Sequence, residues 1–195
     1  MSRIKGAAIR ARLEYLREKH GDDALQRVIE TLDEMDQVIL GGTVLPSIWY
    51  PFQVLANFDE AACRLLGDGD HSLFEAAGEH VGEQHARSIY RVFFKETEPS
   101  RVLRLASCIY ANYYSGLGRL SLRSDDDGRH ERLVIQGAPG TARPNCVTAM
   151  AYFKSVLASC TGMTVEARET RCTCWGDEAC EFEFGCEQVL ERAVG

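Results

Sequence analysis

Positive charge is the scarcer sign in this chain: 22 Lys and Arg stand against 29 Asp and Glu, a net charge of −7. Nucleic-acid affinity rests on clustered Lys and Arg, and here the basic residues are spread along the sequence, so no nucleic-acid surface is expected. Long apolar runs are missing too. No window approaches the roughly 20 apolar residues of a membrane span, and none is expected. The opening Met1-Ser-Arg-Ile-Lys-Gly-Ala-Ala-Ile-Arg is broken by charge and lacks the apolar stretch of a signal peptide. A cytoplasmic location follows as an expectation, and in that compartment cysteines stay reduced. There is no internal repeat and no linker rich enough to separate one domain from another. A length of 195 residues suits one sizeable core, so residues 1–195 are read as a single domain.

The signatures of catalysis are also lacking. No Gly-x-Ser-x-Gly elbow occurs and no cysteine has a histidine partner in sequence. Gly116-Leu-Gly118 lacks the third glycine of a dinucleotide loop and follows a helix. Asp125-Asp-Asp-Gly128 lacks the acid that a calcium loop places five residues before its glycine, since Arg123 stands there; it reads as a turn. His85 falls on an apolar stripe, four residues after Val81 and four before Ile89, and reads as a hydrogen-bonded core residue. His20 and His80 read as solvated. An enzyme is not expected.

What is present is first a helical pattern. Ile9, Leu13 and Leu16 keep helical spacing over residues 4–17, and Leu25, Val28, Ile29, Leu32 and Met35 continue it after Gly21. Gly41-Gly42, Pro46 and Pro51 bracket an aromatic connection, Ser47-Ile-Trp-Tyr50. Helices are predicted over 52–66, from Phe74 through Phe93, over 101–114, and over 146–160. Between and after the last two lie two hairpin patterns, Leu120 to Ile135 and Val165 to Phe184. The fold class is α+β: a helix-rich N-terminal two-thirds packed with a small antiparallel sheet made of two hairpins.

Eight cysteines then ask for an account. Glu169 shares the inward face of its strand with Val165 and Ala167, and Cys180 shares one with Phe182 and Phe184. A buried carboxylate beside thiols is costly unless a cation compensates it, and Zn²⁺ accepts sulfur and oxygen ligands tetrahedrally. Cys172, where the first strand leaves the sheet, and Cys146, at a helix N-terminus that favours a thiolate, complete a candidate set. Two other readings stay open: the thiols fill core space, with Cys174 and Cys186 as bystanders, or they form a disulfide.

The run Glu169-x-x-Cys172 followed by Trp175-Gly-Asp-Glu-Ala-Cys180 resembles the signature of 4-vinyl-reductase domains. In the aromatic-sensing bacterial regulators of that superfamily a Cys, a Glu and two further Cys hold a structural zinc, and the intervals between Cys146, Glu169, Cys172 and Cys180 are similar to theirs. The opening Ile4-Lys-Gly-Ala, Trp49-Tyr-Pro-Phe52 and Ser107-Cys-Ile-Tyr-x-x-Tyr-Tyr114 resemble an uncharacterised family expanded in myxobacteria, over the whole chain. Both resemblances imply the ligand-binding fold shared by haem-NO sensors and the small subunits of TRAPP tethering complexes. The first implies zinc at Cys146, Glu169, Cys172 and Cys180.

That fold encloses an apolar pocket, for which Tyr90, Phe94, Tyr110, Tyr114 and Phe153 are the candidate lining residues, although aromatics on adjacent helices also make ordinary core. Haem is not expected, because the Tyr-x-Ser-x-Arg motif of the haem-NO sensors does not occur. The ligand contacts of the phenol sensors do not transfer either, since no Trp stands in the strand before the final helix. The expected function is a non-enzymatic, sensor-type domain for a small hydrophobic or aromatic ligand, dimeric with its own copy and signalling through a protein partner. The alternatives are a TRAPP-like scaffold without exchangeable ligand, and a tetrapyrrole-related enzyme or carrier.

Overall fold

The computed structural model describes residues 2–93, 96, 98–124, 130–137 and 141–187, without the side chains of 106, 107 and 124. The expected turn at Asp125 to Gly128 and the expected pocket residue Phe94 lie outside this set.

The chain begins with strand β1 (Arg3–Lys5), where a helix was expected. It is stitched on both sides, to β2 (Trp49–Pro51) and to β3 (Tyr114–Ser115), giving a three-stranded antiparallel sheet in the order β2-β1-β3. Helix α1 (Gly6–His20) comes next and buries Ile9, Leu13 and Leu16. The apolar stripe expected to run on to Met35 is cut in two: α2 (Asp22–Glu30) ends at Thr31, and Asp33 caps α3 (Glu34–Gly41) by accepting the Asp36 N–H at 2.9 Å. A side chain that ties up an orphan helix donor outweighs one more apolar repeat, and Met35 turns outward, 72% exposed.

Helix α4 (Phe52–Leu66) occupies the predicted span. Phe52, Leu55 and Phe58 meet Ile9, Leu16 and Phe74 in a first core. Each such ring or branched chain contributes about 1.5–3 kcal/mol on full burial. The long helix expected from Phe74 to Phe93 stops early: α5 (Ser72–Arg87) gives way to a short 3₁₀ turn (Arg91–Phe93), which leaves Ile89 and Val92 outside and Tyr90 fully buried. Helix α6 (Pro99–Tyr113) leads into β3.

The two expected hairpins, β4 (Arg119–Ser124) with β5 (His130–Gln136) and β6 (Thr164–Arg171) with β7 (Ala179–Glu187), join into one sheet, β4-β5-β7-β6. Leu133 stands opposite Phe182 and Ile135 opposite Cys180 at the seam. Between the hairpins runs α7 (Arg143–Thr161), whose Phe153, Val156 and Leu157 cover the sheet in a second core.

Helices α5 and α7 approach unusually closely, and two glycines permit it. A Cβ on Gly78 would sit 2.4 Å from the Thr148 carbonyl oxygen, and one on Gly82 would sit 2.7 Å from that of Tyr152. Spaced one turn apart, they clear a single groove on α5 for the α7 backbone. No helix among the described residues is long and apolar enough to cross a membrane.

Candidate metal centre and ligand chamber

Three segments deliver four donor groups to one point. Cys146 lies in the first turn of α7, a helix opened by Pro144, which presets the backbone there. Cys180 comes from the inner face of β7, between the seam residue Ile135 and the turn. Glu169 and Cys172 come from the end of β6, and their spacing needs a local irregularity. Strand alternation puts Val165, Ala167 and Glu169 inward and would then aim Arg171 inward and Cys172 out. The register instead slips by one: Glu169 faces Phe182, but Arg171 faces Glu181, so Thr170 is an extra residue. This β-bulge exchanges the inward and outward positions beyond it, and Cys172 is fully buried.

A tight loop fixes the rest. The Trp175 and Asp177 N–H groups both donate to the Cys172 carbonyl, at 2.9 and 3.2 Å, and the Asp177 carboxylate accepts the Cys172 N–H at 2.8 Å. Gly176 takes the left-handed conformation, φ 94°, that lets the loop turn back to β7.

The donor atoms of Cys146, Glu169, Cys172 and Cys180 all lie within 4.8 Å of one another. Cys146 Sγ is 3.8 Å from Cys180 Sγ and 3.8 Å from Cys172 Sγ. A tetrahedron with Zn–S bonds of about 2.3 Å has S···S edges of about 3.8 Å. The Cys180 thiol is held down at about 6, by donation from Cys146 above all and then, against burial, by the Thr173 hydroxyl and N–H at 3.3 and 3.4 Å. Burial pushes Cys172 up to about 12, and Cys146, which donates to Cys180, is raised as well.

Arg143 closes the site from outside. It pairs with Glu169 Oε2, reaches Cys172 Sγ at 3.7 Å, and lies over the Trp175 ring, 4.5 Å from its centre. The other carboxylate oxygen, Glu169 Oε1, is buried without a hydrogen-bond partner. An orphaned buried oxygen beside three thiols is the feature a cation would resolve. The remaining five cysteines stand apart: Cys174 is exposed and donates to the Thr141 carbonyl, Cys108 is exposed, Cys186 is half-buried, and Cys63 and Cys160 are buried elsewhere.

One turn beyond Cys146, α7 lines a chamber of about 200 Å³. Its walls are Ala7, Ala8, Ala11 and Arg12 of α1, Leu55 of α4, Val81 and His85 of α5, Ile109, Tyr110 and Tyr113 of α6, Tyr114 of β3, and Asn145, Thr148, Ala149, Tyr152 and Phe153 of α7. Of the expected lining residues, Tyr110, Tyr114 and Phe153 are here. Tyr90 is not: after the chain breaks at the end of α5 it is fully buried in the second core beside Phe93. Arg12, Asn145, Tyr113 and Tyr152 also line it without having been expected to, and His85, expected in the core, faces it.

His85 Nδ1 lies 3.0 Å from the Tyr152 hydroxyl, and burial lowers its proton affinity, favouring the neutral imidazole. The Tyr110 hydroxyl donates to the Leu117 carbonyl at 2.6 Å and its ring stacks on Tyr114. Arg12 forms a buried ion pair with Asp59, Nε to Oδ1 at 3.0 Å, and burial lifts the Asp59 carboxyl to about 6 although Arg12 opposes it.

No protein-family model matches the chain, and no curated protein matches it in sequence. Solved structures do. An H-NOX protein from S. oneidensis in the Fe(II)NO ligation state is similar at a TM-score of 0.71 and 12% identity, over 95% of this chain and 100% of that one. The Fe(II) unliganded H-NOX protein from K. algicida is similar at 0.67 and 12%, over 96% and 98%. A structure from work on modulating haem redox potential through porphyrin distortion gives 0.64 and 8%, over 93% and 99%. The fold is that of the H-NOX proteins.

That likeness corrects the expectation of no haem. The lack of one sequence motif set haem aside, yet the fold is one in which iron ligation states have been solved. What this chain offers such a group is mixed. His85 is an imidazole of the kind haem iron accepts, with Nε2 left over from the Tyr152 contact. The room is small: about 200 Å³ is below the roughly 300–1,000 Å³ of pockets for drug-sized ligands. The donor fits, while the chamber in this conformation is too small for a macrocycle.

Proposed function

We propose that this chain is a sensor-type, ligand-binding domain whose occupied chamber is read by a protein partner, with a zinc-class ion at Cys146, Glu169, Cys172 and Cys180 holding the β6–β7 hairpin to α7. One observation carries the reading: α7 supplies both Cys146 to the donor cluster and Asn145, Thr148, Ala149, Tyr152 and Phe153 to the chamber wall. A metal that fixes the start of α7 also fixes that wall. Ligand occupancy then biases whichever position of α7 it prefers, by its difference in affinity for the two.

The motif likeness to 4-vinyl-reductase domains supports the zinc half, as do the orphaned Glu169 Oε1 and the S···S separations. Three thiolates and a carboxylate around a dication leave the centre doubly negative, and Arg143 offsets some of that charge. The set closes coordination with protein groups, which is structural rather than catalytic zinc chemistry, and no turnover is proposed. The H-NOX neighbours support the sensor half, and haem belongs among the first ligands tried. A homodimer in the cytoplasm is the proposed working state. The scaffold reading draws on exposed Met35, Val38, Leu45 and Ile48, on α3 and after it.

Native mass spectrometry of the purified chain tests the proposal. One zinc per chain in a dimer, with shifts in melting temperature on adding haem or small aromatics, is the expected outcome. A metal-free chain that no such ligand stabilises would sink both halves.

A further inference from the structure

We propose that the chamber is built for a flat apolar molecule bearing a carboxylate, and that Arg12 receives that carboxylate. The inference rests on the reading of the chamber as a ligand site and names the chemistry of its occupant.

Among the described residues lining the chamber, Arg12 is the cation. Its side chain is 7% exposed. A guanidinium carries five N–H donors in a planar fork that favours two parallel bonds to one carboxylate. Here Nε is paired with Asp59 Oδ1 at 3.0 Å without hydrogen-bond geometry, so Nε and both Asp59 oxygens stay buried without a hydrogen bond, and no hydrogen bond among the described residues engages either Nη. The plane is held in place, 4.7 Å over the Phe74 ring. A buried, oriented and half-used fork is costly without a further acceptor, and the chamber is the space that the fork faces.

A second donor stands nearby. The Tyr114 hydroxyl donates to Asn145 Oδ1 at 3.3 Å, which leaves the Asn145 NH₂ for an incoming oxygen. The rest of the chamber suits a flat hydrocarbon, lined by alanines of α1 and aromatic rings of α6 and α7. Its volume of about 200 Å³ exceeds the ~150 Å³ cavity that holds benzene, so roughly two fused rings suit it. A cationic ligand would be repelled by Arg12, and a neutral one would leave the fork unused.

Asp59 does not block this. Arg12 from α1, Glu60 and Cys63 on its own helix and Tyr114 of β3 are the charged and titratable groups that interact with it. Its carboxyl can take up a proton when a second carboxylate reaches Arg12.

The test titrates the full chain with 2-naphthoate and with 2-naphthamide, which match in shape and differ in charge. Naphthoate should bind at least tenfold more tightly, and the double variant Arg12→Met/Asp59→Asn, which strands neither partner, should bind the two alike. Equal binding by the wild-type chain overturns the carboxylate inference and leaves the chamber reading standing. Binding of neither overturns both. If the double variant melts as unfolded chain, Arg12→Lys replaces it: the charge stays, the fork goes, and the preference for naphthoate should shrink without vanishing. Haem also carries carboxylates; its visible absorption identifies it, and haem dimethyl ester should then be rejected where haem binds.

Discussion

Glu169 gives one carboxylate oxygen to Arg143 and keeps the other, Oε1, sealed from solvent with no hydrogen-bond partner, beside the thiols of Cys146, Cys172 and Cys180. The arrangement is satisfied by a bound dication and strained without one. Cys172→Ser and Cys180→Ser should each abolish stoichiometric zinc, as read by elemental analysis. Chelation of the wild-type chain should remove about 3 kcal/mol when metal had stood ~100-fold above its dissociation constant. In a chain of this size that is roughly 6–12 °C of melting temperature.

Arg143 touches the carboxylate and a thiol from outside the donor set. Arg143→Met should leave one zinc per chain but weaken its retention by roughly 10–100-fold, the range for partners that orient and balance metal ligands. Competition with a chromogenic chelator measures this. Unchanged retention would make the arginine a plain surface contact.

Gly78 and Gly82 allow the close packing of α5 on α7. Gly82→Ala forces a methyl group onto the Tyr152 carbonyl oxygen and Gly78→Ala one onto that of Thr148. Each should destabilise by about 1–3 kcal/mol, against the gain that alanine brings to a solvent-facing helix position. Urea melts decide the sign.

The Tyr152 hydroxyl is the hydrogen-bond partner given to His85 Nδ1. Tyr152→Phe leaves a buried ring nitrogen without it and should cost about 1–3 kcal/mol. The same variant should change ligand affinity in the chamber, where both residues stand. Equilibrium unfolding and the naphthoate titration read the two effects separately.

Burial raises Asp59 to about 6 from 3.8, so the folded chain holds this proton more tightly than the unfolded chain does. Its contribution to stability is therefore full below about pH 4 and is lost as pH rises through about 6. The loss should be roughly 3 kcal/mol. Comparing wild type with Asp59→Asn at pH 4.5 and 7 isolates it, because the variant should lack that decline while sharing all others.

How much of this was legible in the sequence depends on what each pattern encodes. The span of α4 was, because Phe52, Leu55, Phe58 and Ala62 repeat at helical spacing between Pro51 and Gly67. The hairpins were, because Val165, Ala167 and Glu169 alternate. The grouping of Cys146 with Glu169, Cys172 and Cys180 came from resemblance more than from spacing. Strand β1 was not legible: three residues carry no period, and their partners lie near positions 50 and 115. The chamber was half legible. Its aromatics announce themselves, but Arg12 and Asp59 were passed over, although each interrupts an apolar stripe, Ile9-Leu13-Leu16 on α1 and Leu55-Phe58-Ala62 on α4. A charge on a core-facing stripe was the available signal. The haem expectation failed because it rested on one motif, whereas the fold is set by packing spread over the chain.

Thr170 has a consequence that concerns counting rather than chemistry. A strand distinguishes its two sides by odd and even positions alone, and the extra residue at Thr170 changes that parity just before Cys172. The Thr170 hydroxyl donates to Glu181, but the parity depends on there being a residue at 170 rather than on which one it is. Deleting it would carry Arg171 to the thiols and Cys172 to the solvent, leaving every donor in the sequence and a broken site in the molecule. The centre is therefore more sensitive to a change of length in β6 than to most changes of identity there.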